Sequence, residues 1–310
     1  MVNQDIETLW PLASEVLQAL GKHYLPAMES AASQLGLKGT GWGMWLLVAN
    51  YLDPEPVSVQ VLRIRAPYTS ENLFAERLVN AAAKGYLTPA TEGYYLLTER
   101  GKAATRQITR AAHDRLTQLT PVPPAKLAKL DGILQRLVAA SLNATEPPGK
   151  WCLLHSTRTA PGADAHVLIR IDQNLTDLNA YRDDAHLAAW QPLVISAHGW
   201  DVLTFLWRNH ACTLEDVYKE LARRGHALSL TGEALKELVR RGWAEEHAGA
   251  FRMTRQGQEQ RQIAEDLTNQ YFFSPWECRQ EEKADLHSLL SRLRDELQKK
   301  KPGVNSQVSV

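Results

Sequence analysis

The densest set of groups able to do chemistry lies in IDQNLTDLNAYRDDAHLAAW, residues 171–190. Read as a helix, this stretch puts Asp177, Tyr181 and Asp184 on one stripe and spaces Asp183 and His186 three apart. Carboxylate and imidazole at such spacing suit a divalent cation, acid–base work or a polar ligand. The plainer reading pairs Arg182 with the neighbouring aspartates and leaves His186 as a polar surface group. No glycine-rich phosphate loop, Ser/His/Asp signature or HExxH accompanies them. The three cysteines, Cys152, Cys212 and Cys278, are far apart and in no metal spacing, and read as buried reduced thiols. Neither a cofactor nor a catalytic centre is expected.

A second set of side chains suits phosphate. Cations cluster at Arg63 and Arg65, at Lys102, Arg106 and Arg110, at Arg223 and Arg224, and at Lys236, Arg240 and Arg241. Between them lie polar groups able to read base edges: Ser70, Asn72, Glu76, Asn80 and Thr231. Asparagine bonds adenine bidentately and glutamate accepts from cytosine, while arginine and lysine hold the backbone. Formal net charge is zero over 310 residues, which argues against a protein that coats nucleic acid electrostatically. From Thr40 to Arg110 eight cations face six acids, and from His198 to Gln262 ten face nine. Solvated helix faces laced with ion pairs give the same composition.

The elements that must position these groups are readable around Leu78–Gly101. An apolar helical pattern (Phe74, Leu78, Ala81, Ala82) closes at Lys84-Gly85, a helix stop. A short strand, the turn Ala90-Thr91-Glu92-Gly93 and a return strand Tyr94–Leu97 follow, and Thr98 caps a new helix. The same grammar recurs. Leu235, Leu238, Val239, Gly242 and Trp243 echo Leu78, Ala81, Ala82, Gly85 and Tyr86 at one constant offset, and Met253-Thr254-Arg255-Gln256-Gly257 falls on Leu97-Thr98-Glu99-Arg100-Gly101. Upstream, Gly41-Trp42 and Gly199-Trp200 each open an apolar helix. Ser58 and Thr213 cap the second helices, and Ser70 and Thr231 the third. Helix, helix, turn, helix, hairpin, twice over, is the order of a winged helix-turn-helix unit.

Around these units, residues 1–40 read as two packing or dimerisation helices, the second starting at Pro26. Residues 41–119 hold the first unit and 120–149 a linker helix that ends at Glu146-Pro147-Pro148-Gly149. Residues 150–193 read as a strand–helix insert, with strands at Trp151–His155 and Val167–Ile171. Residues 194–273 hold the second unit and 274–298 a helix with an apolar stripe at Leu286, Leu289, Leu290, Leu293 and Leu297. Residues 299–310 form a frayed tail. The expected fold is mainly α with short β hairpins: two winged helix-turn-helix domains in tandem, joined by helices and a small αβ insert. No stretch reaches the length of a membrane span, and the N-terminus has no signal-peptide pattern, so the cytoplasm is the expected compartment.

Leu97-Thr98-Glu99-Arg100-Gly101-Lys102-Ala103 after a short hairpin resembles the wing-to-helix junction of MarR-like winged-helix regulators, and Met253–Gly257 is similar. The resemblance covers two blocks of about sixty residues. It implies binding to double-stranded DNA, commonly as a two-fold dimer relieved by a small-molecule effector. The family's Asp-x-Arg in the wing is replaced here by Glu92-Gly93-Tyr94-Tyr95-Leu96 and Ala248-Gly249-Ala250-Phe251-Arg252. The expected function is transcriptional regulation. The alternatives are a scaffold that kept the fold without reading DNA, and an enzyme using the aspartate-rich insert.

Overall fold

The computed structural model describes residues 7–37, 42–208, 212–276 and 280–299. In chain order the α-helices and strands are α1 (Leu9–Gln34), α2 (Trp42–Leu52), α3 (Val59–Arg65), α4 (Glu71–Ala83), β1 (Leu87–Pro89), β2 (Tyr95–Leu97), α5 (Glu99–Thr117), α6 (Pro124–Asn143), α7 (Trp151–Ser156), α8 (Val167–Trp190), α9 (Ala197–Arg208), β3 (Cys212–Thr213), α10 (Leu214–Leu221), α11 (Leu228–Arg240), β4 (Ala244–His247), β5 (Ala250–Met253), α12 (Arg255–Phe273) and α13 (Gln280–Lys299). The architecture is mainly α with short antiparallel sheets, as the sequence implies.

Apolar side chains collect into three cores. One lobe is built from α2–α5 around Phe74, Leu62, Ile108 and Tyr86. A second is built from α9–α12 around Trp200, Leu203, Leu235 and Leu238. Between them, α1, α6, α8 and α13 bury Leu20, Leu130, Leu175 and Leu290 together with the ends of α5 and α12 at Leu116 and Phe272. The stripe on α13 is covered in cis: Leu286, Leu290, Leu293 and Leu297 are buried, and His23 Nε2 on α1 meets the Leu297 carbonyl at 3.0 Å. A dimer seam on that stripe is therefore already occupied within the chain.

The two lobes share more than element order. Ser58 and Thr213 cap α3 and α10, the latter in a full capping box with Asp216. In the first lobe Val57, next to that cap, bridges Tyr95 of the hairpin. In the second, Cys212 pairs with Phe251 as a third strand. Gly85 (φ +74°) and Gly242 (φ +72°) take the left-handed turn after α4 and α11. Thr98 Oγ1 donates to Gly85 O at 2.7 Å, and Thr254 Oγ1 to Gly242 O at 2.5 Å. The same hydroxyls accept from Gly101 N and Gly257 N to start α5 and α12.

Three expectations are corrected. Trp151–His155 and Val167–Ile171 are helical, so residues 150–193 contain no strand and the insert is wholly α. Leu168, Ile169 and Ile171 are all buried, and a helix start surrounded by protein loses the one-sided apolar period that distinguishes it from a strand. Helix α1 runs unbroken through Gly21 and Pro26. Burial of its face on both sides of the proline, from Leu20 and His23 to Ala31 and Ala32, outweighs the one lost backbone bond. Finally, α11 begins at Leu228 with Ala227 as cap, so Thr231 sits inside the helix. Calls at Asp5, Gly41, Cys278 and 300–310 lie outside the described residues.

Candidate nucleic-acid interface

The third helices of the two lobes, α4 and α11, start against each other. Ser70 N, at the cap of α4, donates to Arg224 O at 2.8 Å. His226 Nε2, just before α11, lies 2.8 Å from Tyr68 O, and the Arg224 guanidinium stands 5.2 Å over the Tyr68 ring. Under the repeat alignment these are the same segment of each lobe, the turn between second and third helices. The contact is thus self-complementary, as in a two-fold dimer, but within one chain. Both third helices open on one cleft of about 580 Å³, lined by Arg63, Glu71 and Asn72 on one side and Leu230, Glu233 and Arg240 on the other.

The sequence-predicted contact residues divide sharply. Asn72 and Glu76 on α4, and Lys236 and Arg240 on α11, are exposed, as is Arg223 before the turn. Neither Lys236, Arg240 nor Arg223 has an ion-pair partner among the described residues. The others are engaged. Arg65 pairs with Asp183 and so ties the first lobe to α8; that bond removes it from the phosphate candidates. Arg224 pairs with Asp201 at 2.9 Å. Arg63 pairs with Glu71, and Lys102 with Asp53 at 3.0 Å. Ser70 is buried as the α4 cap, accepting from Leu73 N at 3.3 Å. Thr231 is 1 % exposed, 3.1 Å from His198 Nε2, and cannot reach a ligand. In the hairpin tips, Glu92 is exposed, and the second wing's Arg252 is held by Glu245 at 2.6 Å.

The aspartate-rich insert is structural. Asp184 accepts Cys152 N at 2.8 Å and Leu153 N at 2.9 Å, the second and third amides of α7. Asp177 accepts from Ser156 Oγ at 2.6 Å and Gln173 Nε2 at 2.7 Å. Burial pushes both carboxyls up to about 6 despite these donors. The Tyr181 hydroxyl is 2.6 Å from Glu146 O and 3.1 Å from Tyr271 O. His186 Nε2 accepts from Trp200 Nε1 at 3.3 Å, and burial lowers its pKa to about 4, so it is a neutral acceptor. Arg182 reaches Glu265 on α12 at 2.6 Å, not the aspartates beside it. Among the described residues no three His, Cys, Asp or Glu side chains could hold a metal ion together. The metal and ligand readings of Asp177, Tyr181, Asp184 and His186 are therefore withdrawn: each group's hydrogen bonds are spent inside the fold.

Two features had no signal in the sequence. Asp131 on α6 is buried and accepts from Arg170 Nε at 2.9 Å and Asn174 Nδ2 at 3.0 Å, a polar lock between α6 and α8. His198 and His226 stack with ring centroids 3.9 Å apart at the lobe junction. Both depend on pairings between residues far apart in the chain, which local periodicity does not encode.

The histidine stack makes the junction sensitive to acid. Burial, and then the neighbouring His226 and Arg224, lower His198 to about 4. A histidine unfolds to its ordinary pKa near 6.5. Neutral His198 therefore contributes fully above about 6.5, and that contribution is lost as the pH falls towards 4. Thermal melts of wild type and His198→Gln at neutral pH and near 4.5 test this. The wild type should lose more of its melting temperature than the variant; parallel losses would exclude the junction histidine as the cause.

No known protein family, curated protein or solved structure matches this chain. No helix among the described residues is long and apolar enough to cross a membrane. What the chain does must therefore be argued from its own geometry.

Proposed function

We propose that the chain is a tandem winged helix-turn-helix protein that binds double-stranded DNA and regulates transcription, acting by binding rather than by catalysis. The observation that carries this reading is the doubled helix–helix–helix–hairpin unit whose third helices open on one cleft. Asn72 and Glu76 on one wall can meet base edges, and Lys236 and Arg240 on the other can meet phosphates. Because the two turns are locked together within one chain, the units act as a fixed pair without a second copy. Control by a small effector fits the same reading.

Fluorescence anisotropy with a labelled random duplex at low salt tests it. Saturable binding is expected, with Kd in the range of about 1–100 μM typical of non-specific contacts. The double variant Lys236→Ala/Arg240→Ala should weaken binding on all sequences and lower the salt slope by about two. Absence of binding at about 100 μM would remove the proposal.

One observation favours a second reading, a protein-interaction module. Val79 on α4 and Leu228 and Leu230 on α11 are exposed by 57 %, 41 % and 47 %, and exposed apolar groups beside a cleft suit a protein partner. Purification of a stoichiometric protein complex free of nucleic acid, lost in Leu230→Asp, would favour it.

A further inference from the structure

The largest unexplained polar feature lies away from the third helices. A cavity of about 470 Å³ opens between α1, α2, α5 and α8, where the first lobe meets the central bundle. That volume lies in the range of small-molecule sites. Within its lining, Asp172 on α8 has one carboxylate oxygen, Oδ1, shut off from solvent with no hydrogen-bond partner. The Tyr24 hydroxyl on α1 bonds the carboxyl group, which leaves Oδ1 as an unused acceptor. No arginine or lysine pairs with it among the described residues. A buried acceptor without a donor is costly, and native structures supply one from protein, water or ligand. Apolar surface stands beside it: Leu25, Met28, Leu47 and Ile169. Leu25 is 43 % exposed at the rim. The exposed Arg106 and Arg110 also line the cavity.

We infer that this cavity binds a small organic amine, its ammonium meeting Asp172 Oδ1 and its apolar body lying on Leu25, Met28 and Ile169. An ammonium supplies both the donor and the countercharge that Asp172 lacks, and a charge-assisted bond to a buried carboxylate is among the stronger polar contacts. A neutral donor supplies only the first of these. A carboxylate-bearing ligand would face Asp172 with like charge. The burial that pushes the Asp172 carboxyl up to about 7 is relieved when a cation arrives. The cavity sits on α5, which leads directly out of the first hairpin. Occupancy would brace that lobe against α1 and α8. The binding site stands on the cavity alone; only its role as an effector site rests on the DNA-binding proposal.

Ligand-observed NMR and calorimetry on the full chain test the site without DNA, using benzylamine, benzyl alcohol and benzoate as probes. Benzylamine should bind saturably at about millimolar or better, with benzyl alcohol and benzoate weaker by about tenfold or more, the worth of a charge-assisted bond. Asp172→Asn should reduce benzylamine binding by about tenfold. Thr109→Trp keeps Asp172 and places a ring in the cavity from a half-buried position on α5, and should abolish binding. Thermal melts confirm that each variant is folded. Equal binding of benzyl alcohol or benzoate would overturn the proposal. So would benzylamine binding unchanged in a folded Asp172→Asn or Thr109→Trp variant. No saturable binding of benzylamine at about 10 mM would leave a cavity that holds water only, and would equally overturn it. If benzylamine binds while the duplex does not, the cavity assignment stands and the regulator proposal falls.

Discussion

Gly101→Ala is expected to destabilise the protein, although glycine to alanine inside a helix ordinarily stabilises it by about 1 kcal/mol. The reason is the approach of the hairpin to the start of α5. A Cβ on Gly101 would lie 2.3 Å from the Tyr86 carbonyl oxygen and 2.6 Å from Leu97 Cδ1. The obstacle is backbone, held by Thr98 N donating to that same carbonyl at 3.1 Å. It cannot swing aside without breaking the turn that joins hairpin to helix. The second lobe repeats the arrangement: a Cβ on Gly257 would meet the Trp243 carbonyl oxygen at 2.1 Å. Each substitution should cost about 2–4 kcal/mol, in the range of severe overpacking. Gly232→Ala in α11 is the control, since its nearest neighbour is a Leu214 methyl at 3.7 Å; it should be neutral or stabilise by up to about 1 kcal/mol. Denaturant unfolding of the three variants decides. A Gly101→Ala or Gly257→Ala protein as stable as wild type would mean that helix and hairpin do not meet as described, and the equivalence of the two lobes would lose its firmest support.

That pair of glycines also shows what kind of information the sequence carries legibly. Gly85, Thr98 and Gly101, with their echoes Gly242, Thr254 and Gly257, act on neighbours a few residues away. Caps, stops and tight turns are local chemistry and read directly from residue type and spacing. The same holds for Ser58, Ser70 and Thr213. Legibility ends where tertiary burial replaces one-sided amphipathicity. Val167–Ile171 has the alternation of a strand, yet it starts a 24-residue helix because protein surrounds it. Thr231 looks like a cap from its neighbours, but α11 begins a turn earlier and turns its hydroxyl towards His198. Arg65 belongs to a local basic cluster in sequence and to Asp183 in space.

This bears on how charge should be read for function. The cations expected to hold phosphate are mostly neutralised by acids brought from elsewhere: Arg65 by Asp183, Arg224 by Asp201, Lys102 by Asp53. A balanced composition therefore hides an uneven distribution. Arg223, Lys236 and Arg240 remain unpaired among the described residues and cluster on the second lobe. The DNA-binding proposal accordingly rests on α11 for charge and on α4 for polar recognition. The lobes are alike in fold and unlike in surface.

Asp184→Ala is expected to be as damaging as the glycine changes, and it separates a structural carboxylate from a chemical one. Helix α7 has only six residues and its own cap residue, Lys150, makes no side-chain cap bond. Asp184, on the neighbouring α8, supplies the cap instead by accepting two of the amides that every helix start leaves unpaired. Both amides are buried, and the Cys152 and Leu153 side chains beneath them belong to the packed interior. Truncation strands two buried donors and opens a void, which should cost about 3 kcal/mol or more. Asp184→Asn keeps one acceptor oxygen but turns an amide nitrogen towards the second donor, and should recover about half of that loss. Hydrogen exchange at Cys152 and Leu153 gives the local readout: both amides should lose protection in Asp184→Ala, with the amides of α11 changing only through global stability. Were Asp184→Ala to leave those two amides protected, α7 would be capped by some other group, and the carboxylate would be free for the ligand chemistry that its hydrogen bonds otherwise preclude.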